Sequence, residues 1–212
     1  NTYGEFMEAM LKLQKEGLKK LVIDLRQNPG GYLDAATNIA DELLDSNKLI
    51  LYTQGKSYPR TNYNCQKPGV FEQGPLVILV DEGSASASEI LSGAVQDWDR
   101  GTIIGRRTFG KGLVQEQFGL NDGGALRLTV ARYYIPSGRC IQKSYSNGIE
   151  AYDEDILNRY HDGELVSADS IHFQDTTQYY TKLKHRVVHG GGGIVPDIFV
   201  PLDTTALDPL MN

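Results

Sequence analysis

The chain contains few of the residues that characterise disulfide-rich or metal-binding proteins. Its 212 residues include two cysteines, one tryptophan and four histidines. A disulfide would require Cys65 and Cys140 to lie close in space, which a sequence alone does not show, and two unrelated thiols are the better expectation. No histidine or acid stands at ligand spacing around either cysteine, so we expect no metal site.

Long apolar runs and basic runs are also missing. No stretch is long enough to cross a bilayer, and the net charge of −6 without a basic cluster argues against a nucleic-acid partner. There is no signal peptide, but the chain starts at Asn1 inside a helical pattern, so we expect a piece of a longer protein. A composition of 40% hydrophobic and 23% charged residues is ordinary for one large globular domain.

Strand and helix patterns alternate through the first half of the chain, which indicates parallel strands joined by crossover helices. The polar stretch 53–74 is typical of a loop or a loose hairpin. Periodicity predicts helices at 2–17, 33–44 and 84–98, and strands at 21–23, 49–52, 76–80 and 102–104.

The pattern changes after residue 111. Two strands at 113–118 and 125–134 flank the turn Asn121–Gly124, which predicts an antiparallel hairpin. We expect an α/β fold with a mixed sheet, crossover helices and this later hairpin, as one domain over residues 1–202. The remaining predictions are a polar insertion at about 141–185 with a helical stretch near 153–160, a closing strand at 194–200, and a tail or linker at 203–212.

The stretch GRRTFGKG at 105–112 raises a choice between two kinds of site. Gly105, Gly110 and Lys111 fit a nucleotide-binding P-loop, but Gly112 replaces the hydroxyl residue that would bind magnesium. A P-loop also needs a helix directly after the lysine, and the following segment has a strand pattern. We therefore expect no nucleotide, and a glycine turn that points Lys111 inward.

The run GSASASEI at 83–90 offers a nucleophile where a strand meets a helix. A serine there lies beside free backbone N–H groups that can hold an oxyanion. The alternative is that Ser84, Ser86 and Ser88 only cap the helix. A serine nucleophile needs a base, and we expect the four histidines, at 161, 172, 185 and 189, on the surface outside regular elements. A serine and lysine pair is then the simplest choice.

A lysine base must be neutral, which requires its pKa to fall by roughly 3 units from about 10.4. The apolar neighbours of Lys111 suit the burial that lowers a lysine pKa. Gln115 could orient the amine or face solvent. The turn DLRQNPGG at 24–31 follows the first strand, and an amide of Gly30 or Gly31 could be an oxyanion donor.

Taken together, these segments resemble the carboxyl-terminal processing peptidases, the tail-specific serine proteases of family S41. The stretches that carry the resemblance are LVIDLRQNPGG, GPLVILVDEGSASASEILSGAVQDWDRGTIIGRRTFGKGLVQ, LNDGGALRLTVARYYIPSGR and GIVPDI, which cover most of residues 18–142 and the closing strand. The resemblance implies a fold like that of ClpP and crotonase.

The same resemblance implies site residues. It makes Ser86 the nucleophile, Lys111 the general base and Gln115 the residue that orients the lysine. The amides of Ala87 and of Gly30 or Gly31 would form the oxyanion hole. Asp97 matches a supporting acidic position, although a surface charge near the end of the helix is the alternative.

The resemblance implies an endopeptidase that cuts unfolded polypeptides near their C-termini, with no metal or organic cofactor, outside the cytoplasm in the periplasm or cell envelope. Homo-oligomer formation stays open. No segment resembles the peptide-binding PDZ module of the family, and the insertion falls outside the common pattern. The rival hypothesis is a non-catalytic module on the same fold that binds a peptide or a hydrophobic ligand.

Overall fold

A computed structural model describes residues 2–173 and 175–204 of the chain. These residues form two four-stranded sheets and one two-stranded sheet, together with helices. The strands are β1 Leu21–Asp24, β2 Leu49–Gln54, β3 Thr61–Asn64, β4 Leu76–Val80, β5 Thr102–Gly105, β6 Leu113–Gly119, β7 Ala125–Tyr134, β8 Gln178–Tyr180, β9 Val187–His189 and β10 Ile198–Phe199. The α-helices are α1 Thr2–Lys15, α2 Leu33–Asp41, α3 Ala87–Asp97, α4 Gly148–Asp153 and α5 Asp155–His161.

One four-stranded sheet is parallel and has the order β1-β4-β5-β10. Its central strand β4 buries Leu76, Ile78 and Val80 almost completely, as expected for a strand that is covered on its faces. The parallel arrangement predicted from the strand and helix alternation is therefore confirmed for β1, β4 and β5. The closing strand is also present, but β10 is shorter than the predicted 194–200.

The second four-stranded sheet is antiparallel and has the order β3-β2-β7-β6. β2 belongs to it, since Tyr52 pairs with Tyr134 of β7, so the expected place of β2 among the parallel strands is wrong. The partners lie 82 positions apart in the chain, and local periodicity carries no information on such pairing. The predicted hairpin β6–β7 is confirmed, and the segment 53–74 contains β3, which forms a hairpin with β2.

The helix α3 lies at the centre of the molecule, against α2, β2 and β5. Every residue from Ser88 to Asp97 is buried. A Cβ atom added at Gly93 would lie 2.7 Å from Ile135 Cδ1 and 3.0 Å from Ile194 Cδ1, so a larger residue there would displace these two side chains. α3 begins at Ala87 and not at the predicted Ser84, because residues 81–86 form the turn that leaves β4.

The insertion leaves the core and returns to it at one place. The carbonyl oxygens of Cys140 and Ile141 accept hydrogen bonds from the amides of Gly191 and Gly193. Between these ends lie α4, α5, a short 3-10 helix and the β8–β9 hairpin, so the predicted helical stretch is present as α5. The end of the predicted tail, from residue 205, lies outside the described residues.

Three further observations concern the cysteines, the helices and the residues that could bind a metal ion. Both Cys65 and Cys140 are free thiols, and burial raises the pKa of Cys65 to about 12. None of the helices in residues 2–173 and 175–204 combines the length and the apolar composition needed to cross a membrane. Within the same ranges, no three His, Cys, Asp or Glu side chains are grouped so as to hold a metal ion.

Candidate active site

Ser86 occupies the residue directly before α3, after the turn that follows β4. Its backbone has φ of 55° and ψ of −113°, a conformation that residues with a side chain seldom adopt. Such strain persists only where surrounding contacts maintain it, and it is common at active sites. The side chain is half-buried at the start of the helix.

The neighbouring Ser84 and Ser88 hydrogen-bond to the loop between β1 and α2. Ser84 Oγ donates to the carbonyl oxygen of Leu25 at 2.7 Å, and Ser88 Oγ donates to that of Asn28 at 3.0 Å. Both side chains are buried. The idea that all three serines only cap the helix is therefore wrong for Ser84 and Ser88, which attach the loop between β1 and α2 to the start of α3.

That loop brings glycine amides next to Ser86. Gly30 has φ of +88°, and a Cβ atom there would lie 2.5 Å from the Ala85 oxygen and 2.6 Å from the Ala87 nitrogen. The Gly30 amide already donates to Asn28 Oδ1 at 3.0 Å. By contrast, no described residue accepts a hydrogen bond from the Gly31 or the Ala87 amide. The pair Gly31 and Ala87 is thus available to an oxyanion, whereas Gly30 provides the close approach.

A small apolar cavity of about 330 Å³ opens beside these amides. Half of its lining residues have aliphatic side chains, which come from Leu25 after β1 and from α2 and α3, and the exposed Tyr32 ring stands at its side. Its lining includes Leu25, Gly30, Gly31, Ala36, Ile39, Ala87 and Leu91.

Glu89 joins the serine to the glycine turn that carries the lysine. Its carboxylate is fully buried and accepts four hydrogen bonds, from Ser86 N at 2.8 Å, Lys111 N at 2.8 Å, Gly110 N at 2.7 Å and Thr108 Oγ1 at 2.5 Å. Burial raises the pKa of this carboxyl, and the four hydrogen bonds oppose the rise. One carboxylate oxygen, Oε2, therefore holds the backbones of Ser86 and Lys111 together.

Sequence reasoning missed Glu89, although a signal was present. Ser86 and Glu89 stand at the Ser-x-x-Glu spacing of a capping box, in which the glutamate accepts from the backbone of the first residue. This spacing predicts the contact with Ser86. The other three donors come from residues 108–111, and only the folded chain brings them to the same carboxylate.

The Lys111 side chain is exposed, so the prediction that it points into an apolar pocket is wrong. Gly110 has φ of +87°, as the predicted glycine turn requires, but the turn buries backbone rather than the amine. The neighbouring Phe109 ring packs against Tyr152 and Lys143 instead of Lys111. β6 follows the lysine, as predicted, so the helix of a P-loop is missing at this place.

Gln115 lies on β6, beyond an irregularity in the pairing between β6 and β7. Its side chain is exposed and lines a cavity of about 780 Å³ with Leu113, Arg132 and Tyr134. No described residue hydrogen-bonds to the Gln115 side chain, so its solvent-facing alternative is the one seen.

Asp97 lies at the opposite end of α3 from Ser86, eleven residues and about 16 Å along the helix. It is fully buried, pairs with the equally buried Arg139 at 2.9 Å and accepts from Ser137 N at 2.7 Å. The alternative of a surface charge is therefore wrong. Asp97 supports the segment after β7 and does not reach the serine.

The four histidines do not contribute to this site. His161, His172 and His185 are exposed, as predicted, but His161 ends α5 and His189 ends β9, so the expectation that all lie outside regular elements is wrong. The His189 ring is half-buried and stacks on Phe173 with centroids 3.8 Å apart. None of the four hydrogen-bonds to Ser86.

Comparisons with known proteins identify the family of this chain. A family model described as peptidase family S41 matches residues 1–153. The chloroplastic C-terminal processing peptidase of Tetradesmus obliquus is 43% identical over 143 residues, which cover 68% of this chain and 31% of that protein. The carboxyl-terminal-processing protease of Synechocystis sp. is 41% identical over 174 residues, which cover 82% of this chain and 40% of that protein.

A solved structure shows the same fold over nearly the whole chain. The photosystem II D1 C-terminal processing protease matches with a TM-score of 0.67 and 30% identity, over 95% of this chain and 39% of that one. The chain thus spans between 31% and 40% of the length of these relatives. With the family model covering most of the chain and the fold in agreement, the chain belongs to peptidase family S41.

Proposed function

We propose that this chain is the catalytic core of a serine endopeptidase in which Ser86 and Lys111 form the catalytic pair. The observation that carries the proposal is the shared contact of the Ser86 and Lys111 amides with Glu89 Oε2, each at 2.8 Å. A carboxylate buried in this way positions two segments that are far apart in sequence. A non-catalytic binding module on the same fold has no need for this joint attachment.

The reaction follows from the roles of these groups. Lys111 takes the proton of Ser86 Oγ, and the oxygen attacks the peptide carbonyl carbon. The resulting oxyanion accepts hydrogen bonds from the amides of Ala87 and of Gly30 or Gly31, and Gly31 is the favoured donor because the Gly30 amide is occupied. The tetrahedral adduct collapses to an acyl-enzyme as Lys111 protonates the leaving amine, and water then releases the acyl group.

The exposure of Lys111 gives the substrate a role in this scheme. The amine must lose its proton before it can accept one from Ser86, and removal from water favours the neutral amine. An extended polypeptide that adds a strand along the free edge of β6 would cover Lys111 and exclude solvent. Gln115, on the same strand, would then orient the amine.

The apolar cavity beside Gly31 and Ala87 suggests the preferred substrate. It suits an aliphatic residue on the acyl side of the cleaved bond, in an unfolded polypeptide near its C-terminus. Two of the relatives carry a processing function in their names, one of them in the chloroplast. We place the protein outside the cytoplasm, in the bacterial periplasm or cell envelope, and leave homo-oligomer formation open.

The test uses the full-length protein and an unstructured polypeptide with an aliphatic C-terminal segment. Wild type is expected to release a C-terminal fragment, whereas Ser86→Ala and Lys111→Ala leave the substrate intact at neutral pH. Ser57→Ala and Lys12→Ala change exposed residues outside the site and serve as matched controls. Mass spectrometry of the products identifies the cut, and undiminished cleavage by either site variant would refute the catalytic pair.

A further inference from the structure

The insertion buries charged side chains against the segment that leads to Lys111. Arg159, on α5, is 4% exposed. Its guanidinium donates to the carbonyl oxygen of Thr108 at 3.0 Å and to that of Arg107 at 2.5 Å. These carbonyls lie between β5 and β6, where no strand pairing holds them. The insertion therefore supplies the donors for this stretch of backbone.

A carboxylate of the insertion completes the contact. Glu164 is 3% exposed and accepts from Arg159 Nε at 2.8 Å, from Arg107 Nε at 2.7 Å and from Arg107 Nη2 at 2.5 Å. Two guanidinium groups thus share one buried carboxylate, which compensates the cost of burying them. Because Glu164 holds both guanidinium groups, the backbone at residues 107 and 108, to which Arg159 donates, has little freedom to move.

Lys143, a second buried cation, contacts the next two residues, Phe109 through its amine and Gly110 through its backbone amide. Lys143 lies at the start of the insertion, with Nζ 4.0 Å from the centre of the Phe109 ring and 4.1 Å from that of Tyr152. The amine donates to the Tyr152 carbonyl oxygen at 2.8 Å and to Asp155 Oδ2 at 3.3 Å. The backbone amide of Lys143 donates to the Gly110 oxygen at 2.9 Å. Residues 107–110 are therefore held by the insertion along their whole length.

Two of these four residues, Thr108 and Gly110, are also held by Glu89. Thr108 Oγ1 and Gly110 N donate to Glu89 Oε1, and the other oxygen accepts from Lys111 N and Ser86 N. A displacement of residues 107–110 would move Lys111 relative to Ser86, because both amides depend on one carboxylate. Thr108 and Gly110 thus connect the insertion to Glu89, which in turn binds the amides of Ser86 and Lys111.

We propose that Arg159 and Lys143 are positioning residues for the proteolytic reaction, and that the insertion is a clamp that sets the location of the Lys111 turn against Ser86. The clamp consists of Lys143, Arg159 and Glu164, which together restrict the backbone of residues 107–110. This inference rests on the proposed function. It makes the insertion part of the catalytic unit.

The test compares variants of the full-length protein in the polypeptide cleavage assay. Arg159→Met and Lys143→Met keep an apolar stem of similar size. The first removes the donors to the carbonyl oxygens of residues 107 and 108, and the second removes the ammonium group beside the Phe109 ring. We expect kcat to fall by about 10- to 100-fold while KM changes by less than about twofold, as for a displaced catalytic group. The limb of the kcat pH profile that reports the base is expected to shift, because the surroundings of Lys111 change. Arg159→Lys, which keeps the charge, is expected to recover part of kcat if it reaches one carbonyl.

Arg186→Met is the matched control. Arg186 follows the insertion, pairs with Asp99 at 2.8 Å and makes a second ion pair with Asp197, so its loss breaks ion pairs without contact with residues 107–110. This variant is expected to lose stability while kcat and the pH profile stay unchanged. If Arg159→Met does not fold, Arg159→Lys and Lys143→Met carry the same comparison.

The outcomes separate the two proposals. Retained cleavage by Ser86→Ala or Lys111→Ala removes the proposed catalytic pair. Loss of cleavage in those two variants, together with a wild-type kcat and pH profile in folded Arg159→Met and Lys143→Met, overturns the clamp alone. A fall in kcat that Arg186→Met reproduces at equal loss of stability also overturns it, since the role would then be purely structural.

Discussion

Two lysines at the glycine turn 105–112 differ in their surroundings: Lys111 belongs to the turn, and Lys143 packs against it from the insertion. Lys111 is exposed and its amine has no partner among the described residues, whereas Lys143 is 4% exposed and lies between two aromatic rings. Burial lowers the pKa of Lys143, and Asp155 opposes this change. The lysine proposed to act in catalysis is thus the solvated one, and the buried lysine holds the loop.

The difference shows what apolar neighbours in a sequence can and cannot indicate. Phe109, Leu113 and Val114 surround Lys111 in the chain, but the Phe109 ring covers Lys143, which is distant in sequence. Burial of a charge therefore depends on the insertion, which local composition around Lys111 does not reveal. Other charged groups of the molecule also differ in burial. Substituting them is expected to reduce stability most at the fully buried pair of Asp97 and Arg139 and least at the exposed Lys111.

The largest effect is expected at the fully buried pair of Asp97 and Arg139. Asp97→Ala leaves the Arg139 guanidinium without its carboxylate and is expected to lower the free energy of unfolding by about 3–5 kcal/mol. Urea unfolding followed by circular dichroism measures this change. The double variant with Arg139→Met should recover part of the loss, and an Asp97→Ala protein as stable as wild type would show that the pair is not buried.

A smaller loss is expected for Glu89→Gln. The amide offers one acceptor oxygen where the carboxylate offers two, so some of the donors from residues 86, 108, 110 and 111 lose their partner. Unfolding is expected to be easier by about 1–3 kcal/mol, with a fall in cleavage beyond that of the exposed control Glu150→Gln. Equal stability and equal cleavage in the two variants would contradict the joining role of Glu89.

The third effect depends on pH and concerns Lys143. Its pKa is lowered in the folded state, so between that value and the ordinary 10.5 the unfolded chain binds more protons and stability rises with pH. The contribution is fully present above the ordinary value and is lost as the pH falls through the folded pKa. Relative to Lys143→Met, wild type should gain at most about 1.4 kcal/mol per pH unit in this range. Parallel stability curves for the two proteins would contradict the burial of the amine.

The smallest effect on stability is expected for Lys111→Ala. An exposed side chain without a partner contributes within about 0.5 kcal/mol, although cleavage is expected to be lost. Thermal and urea unfolding measure the first and the cleavage assay the second. If Lys111→Ala lowered the free energy of unfolding as much as Lys143→Met, the two lysines would have similar surroundings and the proposed difference in burial would be refuted.

The sequence allowed much of the fold to be predicted because most elements have local signals. The apolar run of β4, the periodicity of α3 and the Asn121–Gly124 turn each lie within a short window. β2 was assigned to the wrong sheet because its partner Tyr134 is far along the chain. For the site, turn chemistry pointed to Gly30 or Gly31 and the family resemblance to Ala87, but the occupied amide of Gly30 depends on Asn28.

Propensities and spacings within a few residues are enough to predict the parallel core, the glycine turns and the turn that carries Ser86. The exposure of Lys111, the contact of Glu89 with both Ser86 and Lys111, and the contacts of Lys143 and Arg159 with residues 107–110 arise from the folded chain. Burial and hydrogen bonding of charged groups are set by neighbours from distant parts of the chain, and desolvation acts only after those parts have come together.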